Sequence, residues 1–77
     1  MNKVSGIKDL MGGLSNQELA KELIERKAPG NWYSSMNVSN LINGNTVPRD
    51  PYVFLILAEM FEENVSEIIK RYSNINN

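Results

Sequence analysis

Neither cysteine nor histidine occurs in this sequence of 77 residues. Without cysteine there is no disulfide to brace a small domain and no thiolate to hold a metal. Without histidine the commonest general base and the commonest zinc ligand are both missing. No histidine- or cysteine-based nucleophile system can be assembled from what remains, and the Glu62-Glu63 pair reads as a solvated turn rather than acid–base machinery. No catalytic residue, metal site or cofactor is expected. Excess charge of one sign is lacking too. Eight Lys and Arg against nine Asp and Glu give a net charge of −1, which is not the balance of a strong nonspecific nucleic-acid binder. No apolar run is long enough to span a bilayer. Lys8 and Asp9 interrupt any apolar leader after Lys3, so a cytoplasmic protein is expected, with no membrane association.

What is present is one small domain over 1–77, with no internal repeat and no long linker. A domain of this size buries only about 60 % of its unfolded surface, so a partner subunit would help its stability. Asparagine occurs eleven times, which an AT-rich genome alone would explain.

Helical spacing dominates the pattern. Val4, Ile7, Leu10 and Met11 predict a short first helix stopped by Gly12-Gly13, because two glycines cost roughly 1 kcal/mol each inside a helix. Ser15 with Glu18 forms a capping box. Leu19, Ala20, Leu23 and Ile24 follow as an apolar stripe, and the helix ends before Pro29. The stretch 28–33 reads as a loop pinned to the core by Trp32, the only tryptophan. Ser34 or Ser35 caps a third helix with Val38, Leu41 and Ile42 facing inward, and Gly44 closes it as a left-handed cap. A hairpin at Asn43-Gly44 is rejected, because the flanks do not alternate and Pro48 follows closely. Asp50 before Pro51 starts a mostly apolar segment to Phe61. Its length and its Asp-Pro start favour a central helix over a buried strand. Asn64 with Glu67 repeats the capping box. Val65, Ile68, Ile69 and Tyr72 give the last helix one apolar face, and 73–77 reads as a frayed polar tail.

The order of these pieces resembles the Cro/lambda-repressor-like (XRE-type) helix-turn-helix family. The matching residues are Ser15-Asn16-Gln17-Glu18-Leu19-Ala20, Val38-Ser39-Asn40-Leu41-Ile42-Asn43-Gly44, Pro48, Leu57-Ala58-Glu59-Met60-Phe61 and the segment 64–69. They span about three quarters of the chain. The resemblance implies an all-α, five-helix DNA-binding domain. In one respect the chain departs from the family. Ala20 to Gly44 is about eight residues too long for a short-turn helix-turn-helix, and the surplus falls between Ile24 and Ser34, as in phage repressors with a lengthened connection.

Carried onto this sequence, the recognition helix holds Ser35, Met36, Asn37 and Asn40 as base-reading candidates. Asn can bond adenine at N6 and N7, Ser can bond several base edges, and Met can touch a thymine methyl, a set suited to AT-rich sites. No Arg or Lys stands on this helix, and a solvated polar face is the plain alternative. Phosphate contacts are expected from Asn16, Gln17, Lys21, Asn43, Asn45, Thr46 and Arg49. Lys21 and Arg49 also read as ordinary surface charge. Arg26 and Lys27 would reach phosphates if the inserted loop were a wing, and otherwise complement a helix end. Trp32 and Tyr33 beside them would make a stacking platform for single strands, although anchoring the loop is the simpler use. Ile68, Ile69, Tyr72 and the outer side of Tyr52 to Phe61 are expected to contribute to a homodimer interface.

The function expected is a sequence-specific transcriptional regulator, phage or plasmid repressor-like. Its partners would be double-stranded DNA, a second copy of the chain and a further regulatory protein. The competing reading is a protein-interaction module on the same fold, an antirepressor or an inhibitor of a host factor. The acidic balance and the Arg-free recognition helix favour that alternative.

Overall fold

A computed structural model describes residues 6–73. Within them the chain forms four α-helices, α1 (Asn16–Glu25), α2 (Ser35–Asn43), α3 (Tyr52–Phe61) and α4 (Val65–Ser73), preceded by one 3-10 turn at Lys8–Leu10. There is no strand among the described residues. The all-α expectation holds. The expected first helix is only that single turn, with Val4 outside the described residues, so the count is four helices rather than five. The reason is local. Gly6 and Gly12 both take left-handed φ values, +73° and +58°, and leave only five residues between them, room for little more than one turn.

Each helix start is set by a side chain. The Ser15 hydroxyl accepts the Glu18 amide (3.1 Å) while the Glu18 carboxylate accepts the Ser15 amide (2.8 Å), completing the box. Ser34 caps α2 through the Asn37 amide. The Asp50 carboxylate accepts the Tyr52 amide at 2.9 Å ahead of α3. The expected box at α4 does not form. Asn64 Oδ1 accepts the Ser66 amide (3.0 Å) and hydroxyl (2.9 Å), and the Glu67 carboxylate leans to Lys70 instead.

Three helices stop in the same way. In each, the residue at the end is left-handed and the next amide reaches back five residues: Ala28 to the Leu23 carbonyl, Asn45 to Asn40, Glu63 to Ala58. Gly44 takes this conformation without strain, whereas Lys27 (φ +60°) and Glu62 (φ +55°) take it with a Cβ. The sequence around these two gives no glycine signal for the stop.

The core gathers Leu19, Leu23, Val38, Leu41, Val53, Leu57, Ile68 and Tyr72 from the four α-helices and Ile7 from just before the 3-10 turn. The Tyr72 ring tilts against Phe54 with centroids 5.6 Å apart, and its hydroxyl donates to the Leu41 carbonyl at 2.6 Å. Burial raises this phenol well above its ordinary pKa, with nearby Arg71 opposing. The leading segment is strapped down beside it. Ile7 donates to the Ile42 carbonyl (3.0 Å), and Arg71 bonds the Gly6 carbonyl and the Asp9 carboxylate. A Cβ on Gly6 would collide with the Ile42 carbonyl oxygen and the Gly44 nitrogen.

The nine residues between α1 and α2 are well tied. Trp32 is buried, its Nε1 donating to the Pro29 carbonyl at 3.0 Å. It anchors the loop, as expected, which leaves no tryptophan face open for stacking. Tyr33 beside it is 83 % exposed.

Candidate nucleic-acid interface

α1 and α2 pack against each other, with the inserted loop closing one end of the pair. Val38, Leu41 and Ile42 face the core. At 3.6 residues per turn, the opposite side of α2 is then a ridge of Met36, Asn40 and Asn43. Met36 is 70 % exposed. Asn40 is half-buried, and Asn43 is exposed with its amide on Ser39 Oγ at 3.3 Å. Asn37 stands on the flank instead. Its Nδ2 donates to the Asn31 carbonyl at 3.0 Å, so one amide donor is already committed to the inserted loop. Ser35 lies on the other flank, toward α1.

The phosphate candidates fall into three groups. Asn16 and Asn43 line a cleft of about 310 Å³, and Lys8 lines it with them. Lys8 was not singled out from the sequence, because it belonged to a helix expected to be ordinary and amphipathic. The signal available was its place just before the glycine stop. Gln17 and Lys21 line a groove of about 490 Å³ together with Ser35. Thr46 and Arg49 line a third cleft with Asn31 and Asn37, on the far side of the inserted loop. Asn45 is exposed immediately after the Gly44 stop.

Electrostatics sort the cations. Four ion pairs occur among the described residues. Arg26 bridges Glu22 (3.0 Å) and Glu59 (3.3 Å), so it ties α1 to α3 rather than serving a wing. Arg71 holds Asp9 at 2.6 Å and lowers that carboxyl's pKa below its usual value. Lys8, Lys21, Lys27 and Arg49 enter none of these pairs. At the start of α1 the box satisfies two amides, leaving those of Asn16 and Gln17 for an acceptor from outside. Among the described residues, no group of three or more acidic side chains is placed to hold a metal ion.

The expected dimer trio of α4 does not survive as a surface. Ile68 and Tyr72 are wholly inside the core of their own chain, and only Ile69, 43 % exposed, faces solvent. The face of α4 that the spacing marked as apolar is used to close the domain. Exposed apolar side chains occur on the outer side of α3, at Tyr52 and Leu55. No described helix is long and apolar enough to cross a membrane.

Compared with known proteins, the chain matches no family model, no curated protein and no solved structure. What stands is a four-helix domain that sets a polar ridge on α2 beside the start of α1.

Proposed function

We propose that this protein is a sequence-specific DNA-binding regulator of the repressor-like helix-turn-helix kind, acting by occupancy and paired as a homodimer. The observation that carries the reading is the line of polar side chains along one side of the molecule. The α2 ridge supplies Asn40 and Asn43, with Met36 at its tip. Lys8 and Asn16 flank one end of it, and Gln17, Lys21 and Ser35 flank the other. In this reading α2 enters the major groove. Asn40 and Met36 contact base edges, while Lys8, Asn16, Gln17, Lys21 and Asn43 bond phosphates on either side, and Asn45 and Arg49 of the loop after Gly44 bond phosphates beyond them. Asn37 acts through the inserted loop, since its amide holds Asn31. Pairing of two copies uses the apolar side chains left outside the core, Ile69, Tyr52 and Leu55, in place of Ile68 and Tyr72.

The test is binding to the DNA upstream of the protein's own gene, measured against salt. Each phosphate neutralised contributes about 0.9 to the slope of log affinity against log salt. Lys8→Gln and Arg49→Ala should each shallow the slope by about one unit per occupied half-site. No salt-dependent binding at low ionic strength would refute the reading.

A second reading has its own observation. Tyr33 and Met36 are the two most exposed large apolar side chains among the described residues, and α2 carries no cation. That combination suits a protein partner, as an antirepressor or host-factor inhibitor would have. Co-purification of a partner that is lost on Tyr33→Ala and Met36→Ser, with DNA binding absent, would favour it.

A further inference from the structure

The chain start is anchored in the core at both ends, and Lys8 lies between the anchors. Ile7 is fully buried, and its amide donates to the Ile42 carbonyl at 3.0 Å, one of the acceptors that the end of α2 leaves open. Met11 is buried as well, and its amide donates to the Lys8 carbonyl at 3.2 Å, closing the 3-10 turn. Two anchors do not by themselves fix the roll of the turn about the line between them. Arg71 of α4 does. Its Nη1 donates to the Gly6 carbonyl at 3.3 Å and to the Asp9 carboxylate at 2.6 Å. Neighbouring side chains on a 3-10 turn stand about 120° apart. Drawing Asp9 to α4 therefore turns Lys8 away from it, to the cleft that Asn16 and Asn43 line. Lys8 is exposed there and enters none of the ion pairs among the described residues. Folding gives a weak reason for the tie. More than half of the Asp9 side chain is exposed, and an ion pair open to water contributes little to stability. Arg71, by contrast, is largely buried and directs both bonds to the segment around Lys8.

We propose that Arg71 and Asp9 are positioning residues for nucleic acid: they hold Lys8 toward the phosphates beside α2 and touch no DNA themselves. The role rests on the DNA-binding reading. It gives α4, on which no base or phosphate contact is placed, a part in affinity.

Asp9→Ala and Arg71→Gln change the net charge in opposite directions, which separates positioning from charge. The full chain is titrated with the DNA upstream of its own gene, at one low salt concentration and well below its melting temperature. By charge alone Asp9→Ala would bind more tightly, because a negative group beside the phosphates is gone. By positioning it should bind about fivefold more weakly per half-site, the cost of ordering one loosened segment on binding. Arg71→Gln should lose about as much. Both losses should vanish in a Lys8→Gln background, because no ammonium is left to aim. A loss that came from general destabilisation would persist there. An Asp9→Ala variant that binds as well as the wild type or better, or losses undiminished in Lys8→Gln, overturns the proposal and leaves the DNA-binding reading standing. Should Arg71→Gln fail to fold, Asp9→Ala alone decides, since its side chain lies outside the core. If the wild type takes up no DNA at any salt, the DNA-binding reading fails and the positioning role falls with it.

Discussion

Removing one oxygen from the core tests how α4 is joined to α2. In Tyr72→Phe the ring keeps its place against Phe54, so packing is conserved and only the hydroxyl is lost. That hydroxyl donates at 2.6 Å to the Leu41 carbonyl, in a residue that is about 1 % exposed. The same carbonyl receives one other bond, a long 3.3 Å contact from the Gly44 amide. Loss of a buried hydrogen bond contributes about 1 kcal/mol, and stranding its acceptor adds a further fraction of the desolvation cost, for a total of about 1.5–2 kcal/mol. In a domain this small each kcal/mol moves the melting temperature by about 4–8 °C, so Tyr72→Phe should melt about 10 °C lower by circular dichroism. The urea slope should be unchanged, because no surface is newly exposed. Tyr72→Ala should cost about 3–5 kcal/mol. A Tyr72→Phe variant within about 0.3 kcal/mol of the wild type would refute the buried-bond account.

Further outcomes follow from the same contacts. Gly6→Ala should destabilise by about 3 kcal/mol in urea unfolding, since left-handed φ and a backbone collision act together. Lys27→Gly should stabilise by about 0.5–1 kcal/mol, relieving a left-handed Cβ at the end of α1; a loss of stability would contradict the Schellman stop. The Asp9 carboxyl has a lowered pKa in the folded state. Its contribution is therefore complete above the unfolded value and fades as pH falls through the folded one. More than half of that side chain is exposed, so the effect is about 0.5 kcal/mol after screening, and Asp9→Asn should remove this part of the acid sensitivity. On DNA, Asn40→Ala should cost roughly 1–3 kcal/mol on the specific site and little on random duplex. Asn37→Ala should instead lower stability as well, through the lost bond to Asn31.

Much of the fold was legible because its signals are local. Ser15 with Glu18, Asp50 before Pro51 and Gly44 each act within four residues, and each does in the structure what its chemistry dictates. The lone tryptophan was legible for a different reason: few places other than a core absorb its area. The rest depends on contacts distant in sequence. Nothing around Lys27 or Glu62 marks a left-handed stop, because neither is a glycine and the stop shows only in the backbone bonds that close behind them. Ile68, Ile69 and Tyr72 share one helical stripe, and periodicity cannot tell which of them a neighbouring helix will cover. Asn37 looked like a reader by position, and only the inserted loop, a segment with no periodicity, commits its amide elsewhere. Lys8 joins Asn16 and Asn43 only because the chain start folds back across the end of α2.

Backbone amide shifts in the protein's two-dimensional NMR spectrum, followed as an AT-rich duplex is added at low salt, test the central claim most directly. The proposed interface predicts perturbations confined to Lys8, to Asn16, Gln17 and Lys21, to Ser35, Met36, Asn40 and Asn43, and to the 45–49 loop, fading as salt rises. Shifts centred on Tyr52, Leu55 and Ile69, or none at all, would contradict it.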